Sequence, residues 1–388
     1  MARGSHFDVI VLGVGSMGAA ACYYLAKKGK RVLGLEQFEI THERGSHNGQ
    51  SRIIRQAYFE HPDYVPLLKK AYHNWRVLEQ DTGTILYHRT GLFYAGMPDS
   101  PLIAGTKRSA ARYHIPLDVS AATHEFRFPA FRVPGSFEIL FEPDAGFVTP
   151  ERAILTYAQQ ALQLGATLRA RTPARLWKTT PSHIEIETDS ETFTCDALVI
   201  TAGAWASQLL PELSNRLTVT RQVAAWLEPH VWDKFALGNM PCWLIAPPEF
   251  PGAFYGFPIL PVQQFGGPVG LKVAYHYPGV PVSPEHVHRE NINHEEAHLT
   301  DAIERFLPGG YASTLALKTC LYTNTPDEHF IIDFVPGTDR RVVVAAGFSG
   351  HGFKFVAGLG ETLADMAINK STHDPINFLG LNRFSSSL

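Results

Sequence analysis

The 388-residue sequence carries 34 lysines and arginines against 37 aspartates and glutamates, a formal net charge of −3, with 45% hydrophobic and 18% charged residues. That composition fits a globular protein of one or two domains and gives no electrostatic case for nucleic acid or an anionic membrane as the main partner. Four scattered cysteines (Cys22, Cys195, Cys242 and Cys320) are too few for a disulfide framework or a zinc site and point to a reducing, cytoplasmic setting. The apolar run from Phe7 to Ala21 is broken by glycines, so it reads as strand and helix and not as a leader peptide. No run of about 18 apolar residues is present to span a membrane.

In chain order, Phe7-Asp8-Val9-Ile10-Val11-Leu12 is a short apolar run ending in glycine, the pattern of a buried parallel strand. A helix over 16–28 follows, ending at Gly29, and then a strand over 31–36 that ends in an acid. The spacing predicts a helix over 63–80, with Tyr64, Leu67, Leu68, Ala71, Tyr72, Trp75 and Leu78 on one stripe. A helix is expected near 101–113, another over 149–164 and an apolar strand over 193–201. Residues 218–325 are rich in strand-like runs, proline and aromatics. A last buried strand is expected over 341–346, then a glycine-rich loop and a helix over 354–369. The nucleotide-like strands fall at both ends and in the middle, with mixed β segments between them.

That order predicts an α/β (α+β) protein in which two domains are interleaved. A Rossmann-like dinucleotide-binding domain comprises 1–82, 147–217 and 323–388, and a mixed-β-sheet substrate domain comprises 83–146 and 218–322. In Gly13-Val14-Gly15-Ser16-Met17-Gly18, Gly13 permits the tight turn, Gly15 clears the approach of a pyrophosphate, and Gly18 lets helix and strand pack closely. The helix N-terminus at Ser16 and Met17 then offers free N–H groups to phosphate. Glu36 follows at roughly the 20-residue distance where a carboxylate bonds a ribose, and its charge opposes a 2′-phosphate. The motif alone does not separate FAD from NAD.

Further segments do: Gly45-Ser46-His47-Asn48-Gly49-Gln50-Ser51-Arg52-Ile53-Ile54-Arg55, Tyr255-Gly256-Phe257-Pro258, Gly270-Leu271-Lys272 with His276, Cys320-Leu321-Tyr322-Thr323, and Gly347-Phe348-Ser349-Gly350-His351-Gly352-Phe353-Lys354. On these the chain resembles the family of monomeric sarcosine oxidase, N-methyltryptophan oxidase and pipecolate oxidase, FAD-dependent amine oxidases of the D-amino acid oxidase superfamily. The resemblance implies oxidation of the C–N bond of a small secondary amino acid with O₂ as acceptor, giving H₂O₂, by a monomer. It implies FAD tethered through its 8α-methyl to Cys320. Arg55 and Lys354 match the pair that holds the substrate carboxylate, Lys272 the lysine at the oxygen site, and Arg52 an arginine beside the flavin ring. Tyr255, His276 and Tyr322 match residues of the substrate cavity. Two features depart from the sarcosine enzymes. Asn48 stands where they have a second histidine, and the Tyr255–Lys272 loop is longer.

Each residue also has a plainer reading. A free cysteine is ordinarily a small buried hydrophobe; a thioether needs its thiolate, which cations such as Arg52 favour. Arg55 and Lys354 lie inside apolar runs, where charges face a partner, and an arginine fork with a lysine suits one carboxylate. Lys272 lies in an alternating run and could point outward; facing the ring, it would stabilise superoxide. Strand aromatics and histidines are ordinarily core, and the plainer reading of His47 is a loop histidine that bonds the backbone. Ser46, Gly347, Gly350 and Gly352 are expected to line the cofactor, the last three by permitting close backbone approach. The rival functions are a flavin dehydrogenase with a non-oxygen acceptor and a non-catalytic flavin-binding protein.

Overall fold

The computed structural model describes residues 6–119, 127–277, 279–289 and 293–384. Its first sheet is built on His6–Leu12, flanked in parallel by Val32–Leu35 and Thr192–Ile200. Thr167–Arg169 extends one side and Val342–Ala346 the other, both parallel, and Ile331–Phe334 closes the edge antiparallel. The hairpin Ala174–Thr179 and Ile184–Thr188 pairs with the start of Thr192–Ile200. Side chains alternate as a strand requires. Val9, Val11, Val199, Val343 and Ala345 pack under the helices Ser16–Lys27 and Val356–Asn369. Ile10, Leu12, Leu198, Ile200, Val342 and Val344 pack on the other face with Leu210 and Phe384. Both faces are therefore buried, which is why these strands read as continuous apolar runs.

The second sheet is centred on the antiparallel pair Thr218–Glu228 and Ser313–Asn324. It continues through Leu271–His276, Ala253–Phe257 and Cys242–Ala246 to Leu92–Gly96, which is parallel to its neighbour, and Glu138–Glu142. Leu299, Ala302, Ile303 and Phe306 of the helix Asn293–Phe306 cover Trp243, Phe254, Leu271 and Val273. That helix lies in the stretch read as strand-rich, although its apolar residues recur at helical spacing. A small sheet of Arg52–Ile54, Gly146–Val148 and Tyr87–His88 joins the two parts.

The expected helix over 63–80 is Val65–Thr82, preceded by the 3₁₀ turn Pro62–Tyr64. Its stripe is buried from Tyr64 to Leu78. The helix expected from 354 also opens with a 3₁₀ turn, Phe353–Phe355, before Val356–Asn369. Among the described residues no helix is long and apolar enough to cross a membrane.

Candidate active site

The turn after the first strand needs its glycines. Gly13 has φ +89°, and a Cβ at Gly18 would lie 1.8 Å from the Gly13 carbonyl oxygen. Gly15 is different: a Cβ there would meet nothing nearer than His47 Nδ1 at 3.9 Å, because a cleft opens above it. The helix starting at Ser16 has no side-chain cap, so its first N–H groups are available to a ligand. Glu36 ends the next strand, one carboxylate oxygen accepting from the Val14 N–H (2.9 Å) and the other from the Phe38 N–H (3.0 Å). Burial raises its pKa, opposed by these N–H bonds.

The cleft wall contains Gly13, Gly15, Ser16, Met17, Glu36, Ser46, Arg52, Tyr322, Gly347, Gly350 and Gly352, residues drawn from segments far apart in sequence. Gly18 lies beneath it as a packing residue. His47 and Thr323 also line it, and His47 Nε2 and Thr323 Oγ1 are buried without a partner. Buried polar atoms are almost always bonded, so this lining fits a polar dinucleotide. Cys320 is not in the wall, although it shares a strand face with Tyr322, two residues along. Burial raises its pKa, against the opposing pull of Arg52, Lys272, Arg289 and Arg221; desolvation outweighs the cations that were expected to favour a thiolate.

A second pocket opens off the cleft and shares Arg52, Tyr322, Gly350 and Phe353 with it. It brings together Arg55, Lys354, Tyr255 and His276 from four separate elements, as expected, and adds Glu60 and His351. Arg55 is 3% exposed. Its Nη2 lies 2.7 Å from each oxygen of Glu60, and its guanidinium stacks 4.2 Å from the Tyr58 ring and 4.4 Å from that of Phe59. Burial works most strongly on the Glu60 carboxylate and raises its pKa, but Arg55, His351 and Lys354 together outweigh it and hold the pKa at about 2. Lys354 Nζ donates to the His351 carbonyl at 2.7 Å. Burial, then Arg55, lower its pKa to about 7.

The histidines here are neutral. His351 Nε2 faces the Glu328 carbonyl at 3.0 Å and must donate, so Nδ1 accepts from the Tyr58 hydroxyl at 2.6 Å. Burial lowers its pKa to about 3 and that of His276 to about 4. His276 Nδ1 lies 3.3 Å from the Tyr322 hydroxyl.

Lys272 lines neither pocket. It is 2% exposed, and Nζ donates to Gly49 O (2.5 Å), Ser51 O (2.9 Å) and Ser51 Oγ (3.2 Å). Arg52 wraps the same loop, donating to the Ser46, Asn48 and Ser51 carbonyls. Asn48, the departure from the sarcosine enzymes, donates to the Glu43 and Thr319 carbonyls. It thereby ties the loop to the strand that carries Cys320.

A parallel sheet with a glycine-lined cleft at its strand ends defines a dinucleotide-binding protein, and beside the cleft lies a pocket lined by Arg52, Arg55, Lys354 and Glu60. The chain belongs to the FAD-dependent oxidoreductase family, whose model matches residues 8–366. It is 39% identical to the monomeric sarcosine oxidase of Streptomyces avermitilis over 98% of each chain. It is 32% identical to the N-methyl-L-tryptophan oxidase of Yersinia pestis over 97% of this chain and 99% of that one. Among solved structures it is similar to NikD, an unusual amino acid oxidase essential for nikkomycin biosynthesis, with a TM-score of 0.85 at 25% identity over 97% of each chain. The chain is an FAD-dependent oxidoreductase.

Proposed function

We propose that the chain oxidises the C–N bond of a small secondary amino acid, N-methyl or cyclic, of which sarcosine is the simplest, with O₂ as acceptor. The observation that carries this reading is the pairing of the Arg55–Lys354 pocket with the dinucleotide cleft through shared walls. FAD would be held by Gly13, Gly15, Ser16 and Met17 at the pyrophosphate, Glu36 at the ribose, and Arg52 with Gly347, Gly350 and Gly352 at the ring. When bound it supplies the redox chemistry, accepting a hydride equivalent from the carbon next to nitrogen and passing electrons to O₂ to give H₂O₂.

The chain's own residues prepare that step. The substrate carboxylate docks on Arg55 and Lys354. Arg52, Arg55 and Lys354 outnumber Glu60, so the pocket disfavours an ammonium and favours the neutral amine that can react. Tyr255, His276 and Tyr322 shape the cavity, and Lys272 supplies positive charge for oxygen chemistry. The reading includes the division into a cofactor part (1–82, 147–217, 323–388) and a substrate part (83–146, 218–322), a monomer, and a reducing cytoplasm suited to four unpaired buried cysteines.

The test is an H₂O₂ assay across secondary amino acids, together with acid precipitation of the purified protein. Yellow colour should remain in the pellet and appear in the supernatant for Cys320→Ser. Colour released from the wild type would sink the thioether, and absence of H₂O₂ with every secondary amine would sink the oxidase.

Lys354 predicts a pH dependence. It is charged below its pKa of about 7 and neutral above it. The dissociation constant of a small carboxylate inhibitor should therefore rise about tenfold from roughly pH 6 to pH 8, one pKa unit being a factor of ten. Lys354→Met should bind weakly with a flat profile. A wild-type affinity constant across that window would remove Lys354 from the clamp.

A further inference from the structure

Lys272 is a buried lysine with no carboxylate in contact among the described residues. Its three hydrogen-bond partners all belong to one tight turn, Gly49 O, Ser51 O and Ser51 Oγ. Three acceptors suit an ammonium with three hydrogens; a neutral amine has two and would set its lone pair against a carbonyl. The other ionisable groups acting on it, from the elements packed around it, are Arg52, Glu151, Cys320 and Cys242. Burial, then Arg52, push its pKa well below the usual lysine value, and Glu151 is the carboxylate that opposes that shift.

Glu151 acts from the opposite side of the same turn. Its Oε1 accepts from the Gly49 N–H at 2.7 Å and the Gln50 N–H at 3.1 Å. The turn is a γ-turn closed by Ser51 N–H to Gly49 O at 2.8 Å, with Gln50 at φ +70°. That conformation is strained for a residue with a side chain and persists only where its surroundings hold it. Here the Gly49 and Gln50 amides face the Glu151 carboxylate and the Gly49 and Ser51 carbonyls face the Lys272 ammonium, so the dipole of the Gly49–Gln50 peptide runs from one charge to the other. The Gln50 side chain pins the turn further, accepting from Trp226 Nε1 at 3.2 Å and donating to the Gly266 carbonyl at 2.8 Å.

We infer that Glu151 is a positioning residue for Lys272. Through the 49–51 turn it fixes the carbonyls that hold the ammonium, and its negative charge favours the protonated form of that buried lysine. The two form an ion pair split by a turn of backbone. The role in oxygen chemistry rests on the function proposed above; the split pair itself does not.

Two variants separate shape from charge. Glu151→Gln keeps an oxygen for the two amides and removes the charge. Glu151→Ala removes both. In hydrogen exchange of the purified protein, the Gly49 and Gln50 amides should exchange at least about tenfold faster in Glu151→Ala and near the wild-type rate in Glu151→Gln. In stopped-flow mixing with O₂, substrate-reduced Glu151→Gln should lose its reoxidation rate about one pH unit or more below the wild type, because a lysine without its counter-charge deprotonates earlier. Anaerobic reduction by substrate should be unchanged, which a general structural defect would not leave so. Wild-type exchange in Glu151→Ala, or a wild-type alkaline limb in Glu151→Gln, overturns the inference. If Lys272→Met is reoxidised like the wild type, the oxygen role of Lys272 falls, and the exchange rates alone then decide whether Glu151 holds the turn.

Discussion

Arg55→Met should cost both stability and catalysis, and adding Glu60→Gln should restore only the first. Arg55 and Glu60 are both drawn out of solvent, with both carboxylate oxygens 2.7 Å from the guanidinium. Breaking one side of such a pair leaves a buried charge uncompensated, a loss of about 3–5 kcal/mol. It should appear as a lower thermal midpoint and a lower denaturant midpoint at unchanged slope. In the double variant the orphan carboxylate becomes a neutral amide, and most of that stability should return. Catalysis should not, because the carboxylate clamp is still gone; kcat/KM for a secondary amino acid should stay down by about 100-fold or more. A double variant with wild-type kcat/KM would show that Arg55 serves the fold alone.

Lys272→Met should divide the catalytic cycle. Methionine has a similar length and no charge, so the packing against Trp226 and Phe257 is kept. The Gly49 and Ser51 carbonyls lose a donor, at about 1–3 kcal/mol of stability. Anaerobic reduction by substrate should change little, since Lys272 lines neither the cleft nor the pocket. Reoxidation by O₂ should fall about 100- to 1,000-fold, the range for removing one preorganised charge-stabilising group. Unchanged reoxidation would return the flavin dehydrogenase with another acceptor to first place.

What could be read from the sequence followed from local chemistry. The turn from Gly13 to Gly18 was legible because a Cβ at Gly18 has nowhere to go, and the 65–82 helix because its buried stripe repeats at 3.6 residues. Glu60 was not legible. It sits in a loop with no periodicity, and its meaning lies in Arg55, whose partner only the fold supplies. Glu151 was not singled out from the sequence: it lies in the first turn of the helix Pro150–Gln163, where an acid is ordinary, and nothing in its neighbourhood points at Gly49. The Asn293–Phe306 helix was masked by the strand-rich composition around it. Cys320 marks the other limit. The sequence placed it on a strand beside Tyr322, but only the packed surroundings reveal that desolvation outweighs the four cations near it.

The cleft has a consequence for how the protein is made. Its phosphate-binding side comes from the turn at Gly13–Ser16 and its opposite wall from the turn at Gly347–Gly352, and the sheet between them is completed only when Val342–Ala346 pairs with Thr192–Ile200. A ribosome synthesises the first wall long before the second. The nascent chain therefore cannot retain its cofactor while it is growing, and loading must follow release of residues beyond 352. Cofactor supply thus acts on a chain that already carries both walls of the cleft.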